Sequence, residues 1–72
     1  MDPYEKLANA IVILAANDYR SALKRLKKYP RDREAKAEAD ELERFFRSKW
    51  YTALTSVDGD YLIKNLRKEV LE

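Results

Sequence analysis

Seventy-two residues carry 46% apolar and 39% charged side chains, a formal net charge of +2, one Gly, two Pro, and neither Cys nor His. Disulfide frameworks and zinc sites built on Cys or His are thereby excluded, and the length predicts one small domain over residues 1–72, near the size at which a single core only just offsets chain entropy. The longest apolar run, Ala10 to Ala16, falls far short of the ~20 residues that span a bilayer, and Met1-Asp2-Pro3-Tyr4-Glu5 lacks the pattern of a signal peptide, so the expectation is a soluble cytoplasmic protein with no membrane partner.

Scarce Gly and Pro together with abundant Ala, Leu, Lys, Arg and Glu predict an all-α fold. Asp2 is placed to cap a first helix, Pro3 suits its first position, and Glu5 completes a box-like start. Leu7, Ile11, Leu14, Ala15, Ala22 and Leu26 recur at helical spacing, with Val12, Tyr19 and Leu23 widening the stripe, so the first helix is expected over about 3–28. Pro30 ends it. Asp32 caps a second helix whose apolar face is Ala35, Ala39, Leu42, Phe45 or Phe46, Trp50 and Ala53. Ser48 either interrupts that helix by capping a new segment or faces water within it; continuity is the expectation, over about 33–54. After Thr55-Ser56-Val57, Asp58 caps a third helix over about 59–71, lined by Leu62, Ile63, Leu66 and Val70. The short first connection makes the first two helices antiparallel neighbours. The expected architecture is therefore an antiparallel helical hairpin plus a short C-terminal helix docked across it.

The run Ala10 to Ala16 is apolar around the whole helix, whereas one packing partner needs only a stripe. Either the third helix covers the other side, or the first helix self-associates. The second alternative predicts a homo-oligomeric bundle with Leu7, Ile11, Ile13 and Leu14 at the interface. Ile13 lies opposite the stripe of Leu7, Ile11 and Leu14, so its exposure or burial bears on that interface.

Charge alternates along the chain: residues 1–19 sum to −2, 20–33 to +6, 34–43 to −4 and 44–72 to +2. The basic segment from Arg20 to Arg33 invites a nucleic-acid reading, because phosphate neutralisation dominates such binding. The favoured account is structural: in a hairpin these cations lie beside Glu34, Glu38, Asp40, Glu41 and Glu43, with the helix macrodipoles supporting both sets. Asp58-Gly59-Asp60 resembles a calcium-loop fragment, but Leu54 and Asn65 stand where its first and last ligands belong, so a helix cap is expected and no metal. No Ser lies in a nucleophile elbow, and the carboxylates of the second helix lie on a surface that offers no desolvation. The chain reads as non-enzymatic, with no cofactor.

Phe45-Phe46-Arg47-Ser48-Lys49-Trp50-Tyr51 holds half of the eight aromatic residues and the only Trp. On a continuous helix, Leu42, Phe45, Phe46 and Trp50 share one face and belong mainly to the core. Arg47, Tyr51 and Thr55, one turn apart, share another, and Tyr19, Arg20, Lys64 and Arg67 are candidate neighbours. A groove of guanidinium, phenol and hydroxyl suits a flat anion such as a nucleotide: Arg47 and Lys49 neutralise phosphate, Tyr51 or Trp50 stacks, and Thr55 donates a hydrogen bond. The competing reading is a surface ladder of Arg and Tyr lying over the core.

Across Asp18-Tyr19-Arg20-Ser21-Ala22-Leu23-Lys24-Arg25-Leu26-Lys27-Lys28, Phe45 to Tyr51, Leu54-Thr55 and Asp58-Gly59-Asp60-Tyr61-Leu62-Ile63, the chain resembles small helical proteins encoded by phages and prophages of Gram-positive bacteria. The resemblance covers most of the chain and brings no assigned active residues. It implies an accessory protein of the host bacterial cytosol. Phage accessory proteins of this size commonly inhibit a host machine by binding it, or sequester a nucleotide signal of host defence as oligomeric helical sponges. The resulting expectation is immune evasion by nucleotide binding at Arg47, Lys49, Trp50, Tyr51, Thr55, Tyr19, Arg20 and Arg67. The alternatives are a module that docks on a host protein and a nucleic-acid binder using residues 20–33.

Overall fold

The structure, a computed structural model, describes residues 2–72. Four helices follow one another: α1 (Pro3–Lys28), α2 (Arg33–Phe46), α3 (Lys49–Leu54) and α4 (Gly59–Leu71). No strand occurs among the described residues, so the fold is all-α. At 1.5 Å per residue α1 is about 39 Å long, which accounts for the longest molecular dimension of 41 Å.

Local chemistry sets each boundary. Asp2 accepts hydrogen bonds from the backbone N–H groups of Tyr4 (2.8 Å) and Glu5 (3.0 Å), with Pro3 at the first helical position. Asp32 caps α2 through Ala35 N–H at 3.0 Å, and Asp58 caps α4 through Tyr61 N–H at 3.1 Å. The expected second helix differs from the one observed. It stops at Phe46, and Ser48 takes an extended conformation (φ −85°, ψ 164°) that starts α3. One hydroxyl serves both ends: Ser48 Oγ donates to the Phe45 carbonyl at 2.6 Å and accepts from Tyr51 N–H at 3.3 Å. It thus partners both an end-of-helix carbonyl and a start-of-helix amide.

That break resets the helical phase, so Tyr51 rather than Trp50 follows Phe46 into the interior. Phe46 stands edge-on to Tyr19 (ring centroids 5.7 Å apart) and to Tyr51 (5.6 Å), and Phe45 lies edge-on to Tyr51 at 5.9 Å. Such edge-to-face contacts are favourable beyond the area they bury. Ala15, Ala16, Ala22, Leu23, Ala39, Ile63, Leu66 and Val70 complete the buried cluster.

The register follows from contacts at the ends. Arg25 pairs with Asp32 at the start of α2 and Tyr19 meets Phe46 at its end, so α1 and α2 are antiparallel. Arg47 meets Asp60 at the start of α4, while Lys27 Nζ donates to the Val70 carbonyl at its end, so α4 runs alongside α1 in the same direction. The C-terminal half of α1 is thereby sandwiched in a three-helix bundle. Where α4 begins, a Cβ placed on Gly59 would sit 1.9 Å from the Phe46 carbonyl oxygen. The only glycine of the chain is there because the two backbones touch, with the positive N-terminal end of α4 set against the negative C-terminal end of α2.

The face that α1 turns inward matches the expected stripe at Val12, Ala15, Tyr19, Ala22, Leu23 and Leu26 and departs from it at Leu7, Ile11 and Leu14. Ala8, Ala15, Ala16, Tyr19, Ala22 and Leu23 are buried, with Val12 and Leu26 packed against them. Leu7, Ile11 and Leu14, expected in the core stripe, point outward. The spacing 8, 12, 15, 19, 22, 26 is itself a helical seam, and its small residues let neighbouring helices approach closely. A periodicity criterion weighted by side-chain size selects the larger, parallel seam instead.

Candidate functional site

The residues expected to form one ligand groove are distributed over five environments. Tyr51 and Tyr19 are core residues, both fully buried. The Tyr51 hydroxyl has no hydrogen-bond partner among the described residues, and burial, aided by the Asp58 charge, pushes its pKa up. It cannot stack on a ligand from inside the protein, because the phase reset at Ser48 turned it there. The Tyr19 hydroxyl donates to Glu43 Oε2 at 2.7 Å. Burial first, and the Glu43 carboxylate second, push the Tyr19 pKa up to about 12, with the nearby Arg67 opposing.

Thr55 belongs to the loop after α3. Its N–H donates to the Tyr51 carbonyl, and its hydroxyl accepts from Val57 N–H at 3.2 Å. Arg20 lies on the other flank of α1, where Nε pairs with Glu69 Oε2 at 2.5 Å and Nη1 donates to Asn17 at 2.9 Å. The Glu69 pKa falls accordingly, chiefly through that hydrogen bond. Trp50, assigned to the core face on a continuous helix, is 75% exposed, beside the exposed Lys49. Both lie on the outside of α3.

Arg47 and Arg67 do come together. Arg47 Nε donates to Asp60 Oδ1 at 2.8 Å, the main cause of its raised pKa, and Nη1 lies 3.6 Å from Glu43 Oε1. Arg67 approaches Glu43 Oε2 at 3.6 Å. Glu43 is thus the hub of a network joining α1, α2 and α4. Its place four residues before Arg47 was a legible sign of pairing, but its link to Tyr19, 24 positions away, was not. Beside this network is an open hollow of about 570 Å³, lined by Arg47, Lys64, Arg67 and Lys68, by Asp60 and Glu72, and by Ile63 and Leu71. Lys64 and Lys68 make no salt bridge among the described residues.

The basic segment is only partly neutralised as expected. Arg25 reaches Asp32 at 3.0 Å and Glu34 at 3.7 Å, which is the one α1 cation paired with the start of α2. The Arg25 charge assists the Asp32 cap bond to Ala35 N–H, which is the main cause of the lowered Asp32 pKa. Arg20 and Lys27 turn to α4 instead, Asp40 pairs with Lys36 on its own helix, and Lys28 lies 5.5 Å over the Tyr29 ring.

The expected oligomer interface is exposed. Tyr4, Leu7, Ile11 and Leu14 are 61%, 60%, 38% and 62% exposed along one face of α1. Ile13 is also exposed, at 58%, but on the opposite side of the helix, since two residues on from Ile11 is a rotation of about 200°. Leu7, Ile11 and Leu14 were legible both as apolar spacing and as an interface alternative, whereas Tyr4, which extends their row, was not singled out.

No helix among the described residues is long and apolar enough to cross a membrane, and no group of three or more Asp or Glu among them is placed to hold a metal ion. Comparison with protein families, curated proteins and solved structures finds no match to the chain.

Proposed function

We propose that this chain is a non-enzymatic protein-interaction module whose working surface is the apolar face of α1 formed by Tyr4, Leu7, Ile11 and Leu14. The observation that carries it is the exposure of four large apolar side chains at 3- and 4-residue spacing in a row. Contiguous patches of that kind mark interaction sites on soluble proteins. The resemblance to phage accessory proteins would place this activity in a bacterial cytosol, as an inhibitor or adaptor of a protein machine. The dye anilinonaphthalene sulfonate, added to dilute protein, tests whether the face is open: it should fluoresce with the wild-type chain and lose most of that signal with Leu7→Glu/Leu14→Glu, helicity being retained. Equal fluorescence from both proteins would refute the assignment.

A second reading, capture of a small nucleotide-like anion, is supported by the α4 hollow, where Lys64 and Lys68 add two unpaired charges to Arg47 and Arg67. In it the anion replaces Asp60 and Glu43 as the partner of the guanidiniums, and no aromatic ring contributes. Calorimetric titration with ATP and with a cyclic dinucleotide is the probe. Saturable heat that disappears in Lys64→Glu/Lys68→Glu supports it, and the absence of heat with the wild-type protein removes it.

A further inference from the structure

The face of α1 has the spacing of a coiled-coil seam. Writing Tyr4 as position a of a heptad puts Leu7 at d, Ile11 at a and Leu14 at d, while the core residues Ala8, Val12, Ala15, Tyr19, Ala22 and Leu26 occupy b and e. α1 therefore carries two seams. The b/e seam is filled by the chain's own helices, and the a/d seam stays exposed, Ile11 least of the four.

We infer that the partner of this a/d seam is a second copy of the same chain, packed antiparallel with its two-fold axis near residue 9, so that Tyr4 faces Leu14 of the other copy and Leu7 faces Ile11. This rests on the reading of the α1 face as the working surface. Area, charge and shape support it. The four side chains leave roughly 400 Å² of apolar surface per chain, within the roughly 300–600 Å² of the largest, often functional, patch on a monomer. Two copies remove roughly 800 Å² from water where the stripe is wholly covered, so rim residues must supply the rest of the roughly 1,000 Å² at which specific interfaces begin.

Charge chooses the direction. The next a and d positions are Asp18, Ser21, Arg25 and Lys28, all exposed. A parallel pair in register would stack Asp18 on Asp18 and Arg25 on Arg25, and like charges at these positions oppose pairing. An antiparallel pair about residue 9 ends its overlap before Asp18. It also opposes a to d, as antiparallel seams require, and Pro3 and Ala10 at the flanking g positions bring no charge to the contact. Shape agrees: α2 and α4 cover the C-terminal half of α1, so the bulk of each subunit lies at opposite ends of the pair and does not collide. Ile13 stays outside this contact, because a single helix face cannot include both it and Ile11.

The chain has no cysteine of its own, which makes the register directly readable. Sedimentation of the wild-type chain should give twice the chain mass at micromolar concentration, and Leu7→Glu/Leu14→Glu should give the chain mass with helicity retained. An equimolar mixture of Leu7→Cys and Ile11→Cys chains should oxidise mainly to the mixed dimer. Predominant Leu7→Cys and Ile11→Cys self-dimers would overturn the antiparallel register. A wild-type monomer at all concentrations would overturn self-pairing altogether. In that case persistent dye binding to the α1 face leaves the interaction-module reading standing for another partner, whereas a monomer that binds no dye removes both.

Discussion

Replacing Gly59 with Ala isolates the contact on which α4 is seated. The φ angle of Gly59 is not positive, so the backbone itself accepts Ala, and at a helix start the exchange would ordinarily stabilise by ~0.4–1 kcal/mol through the unfolded chain. The surroundings reverse the sign. The new Cβ would lie 1.9 Å from the Phe46 oxygen and 2.8 Å from its carbonyl carbon, both backbone atoms that cannot rotate away. Restoring ordinary contact requires α4 to back off by roughly 1.5 Å, which loosens Ile63 and Leu66 in the core and stretches the Arg47–Asp60 hydrogen bond. Overpacking of this kind costs about 1–3 kcal/mol, leaving a net loss of up to roughly 2.5 kcal/mol after the entropic gain. For a domain of this size that is a fall in melting temperature of up to about 20 °C. Circular dichroism melts of wild type and Gly59→Ala at one fixed chain concentration measure it. A variant melting above the wild-type temperature would refute the close approach and the seating of α4 built on it.

Two further outcomes follow from the buried tyrosines. With the Tyr19 pKa at about 12 in the fold against about 10 in the unfolded chain, the folded state binds the extra proton between those values. Stability is therefore intact below pH 10 and falls by about 3 kcal/mol as pH rises toward 12; urea titrations from pH 9 to 11.5 should show the decline, and Tyr19→Phe should flatten it, whereas equal slopes would remove Tyr19 as the cause. Tyr51→Phe should be neutral or stabilising by up to about 1 kcal/mol, because it deletes a buried hydroxyl that has no partner; a loss above 1 kcal/mol in urea unfolding would mean the hydroxyl is satisfied in solution.

The helix boundaries read from Asp2, Pro3, Pro30, Asp32 and Asp58 coincide with those observed, because caps and proline act within a few residues and leave a local signature. The faces of α2 and α4 were legible for the same kind of reason: Ala35, Ala39, Ile63, Leu66 and Val70 repeat at helical spacing with little competing apolar surface. α1 was ambiguous because it bears two seams, and periodicity alone does not say which one the chain's own helices occupy. Ser48 was recognised as a candidate cap, yet nothing local weighs its hydroxyl bonds against a continuous helix. What decides is tertiary: Tyr51 completes the ring cluster with Phe45 and Phe46. The groove of Arg47, Tyr51 and Thr55 presupposed one unbroken helix, so a single phase change dispersed it, while Arg47 and Arg67 met through Glu43, which helical spacing on α2 could not reveal.

The break at Ser48 that disperses the groove also leaves the α1 face bare. At 1.5 Å per residue, α2 and α4 are each about 20 Å long against about 39 Å for α1, and both pack beside its C-terminal half. A second helix continuing unbroken to Leu54 would extend along most of α1 and supply a long partner for its first turns. The observed chain instead stops α2 at Phe46, lands α4 on that end through Gly59, and leaves only the six residues of α3 to cover the start of α1. The end of α3 and the loop after it line a hollow with Tyr4 and Ala8, and Leu7 and Leu14 stay exposed. A long apolar helix with partners along half its length must either leave that surface in water or meet another molecule there. The match of Tyr4, Leu7, Ile11 and Leu14 to a coiled-coil seam is the reason to expect that molecule to be an α-helix.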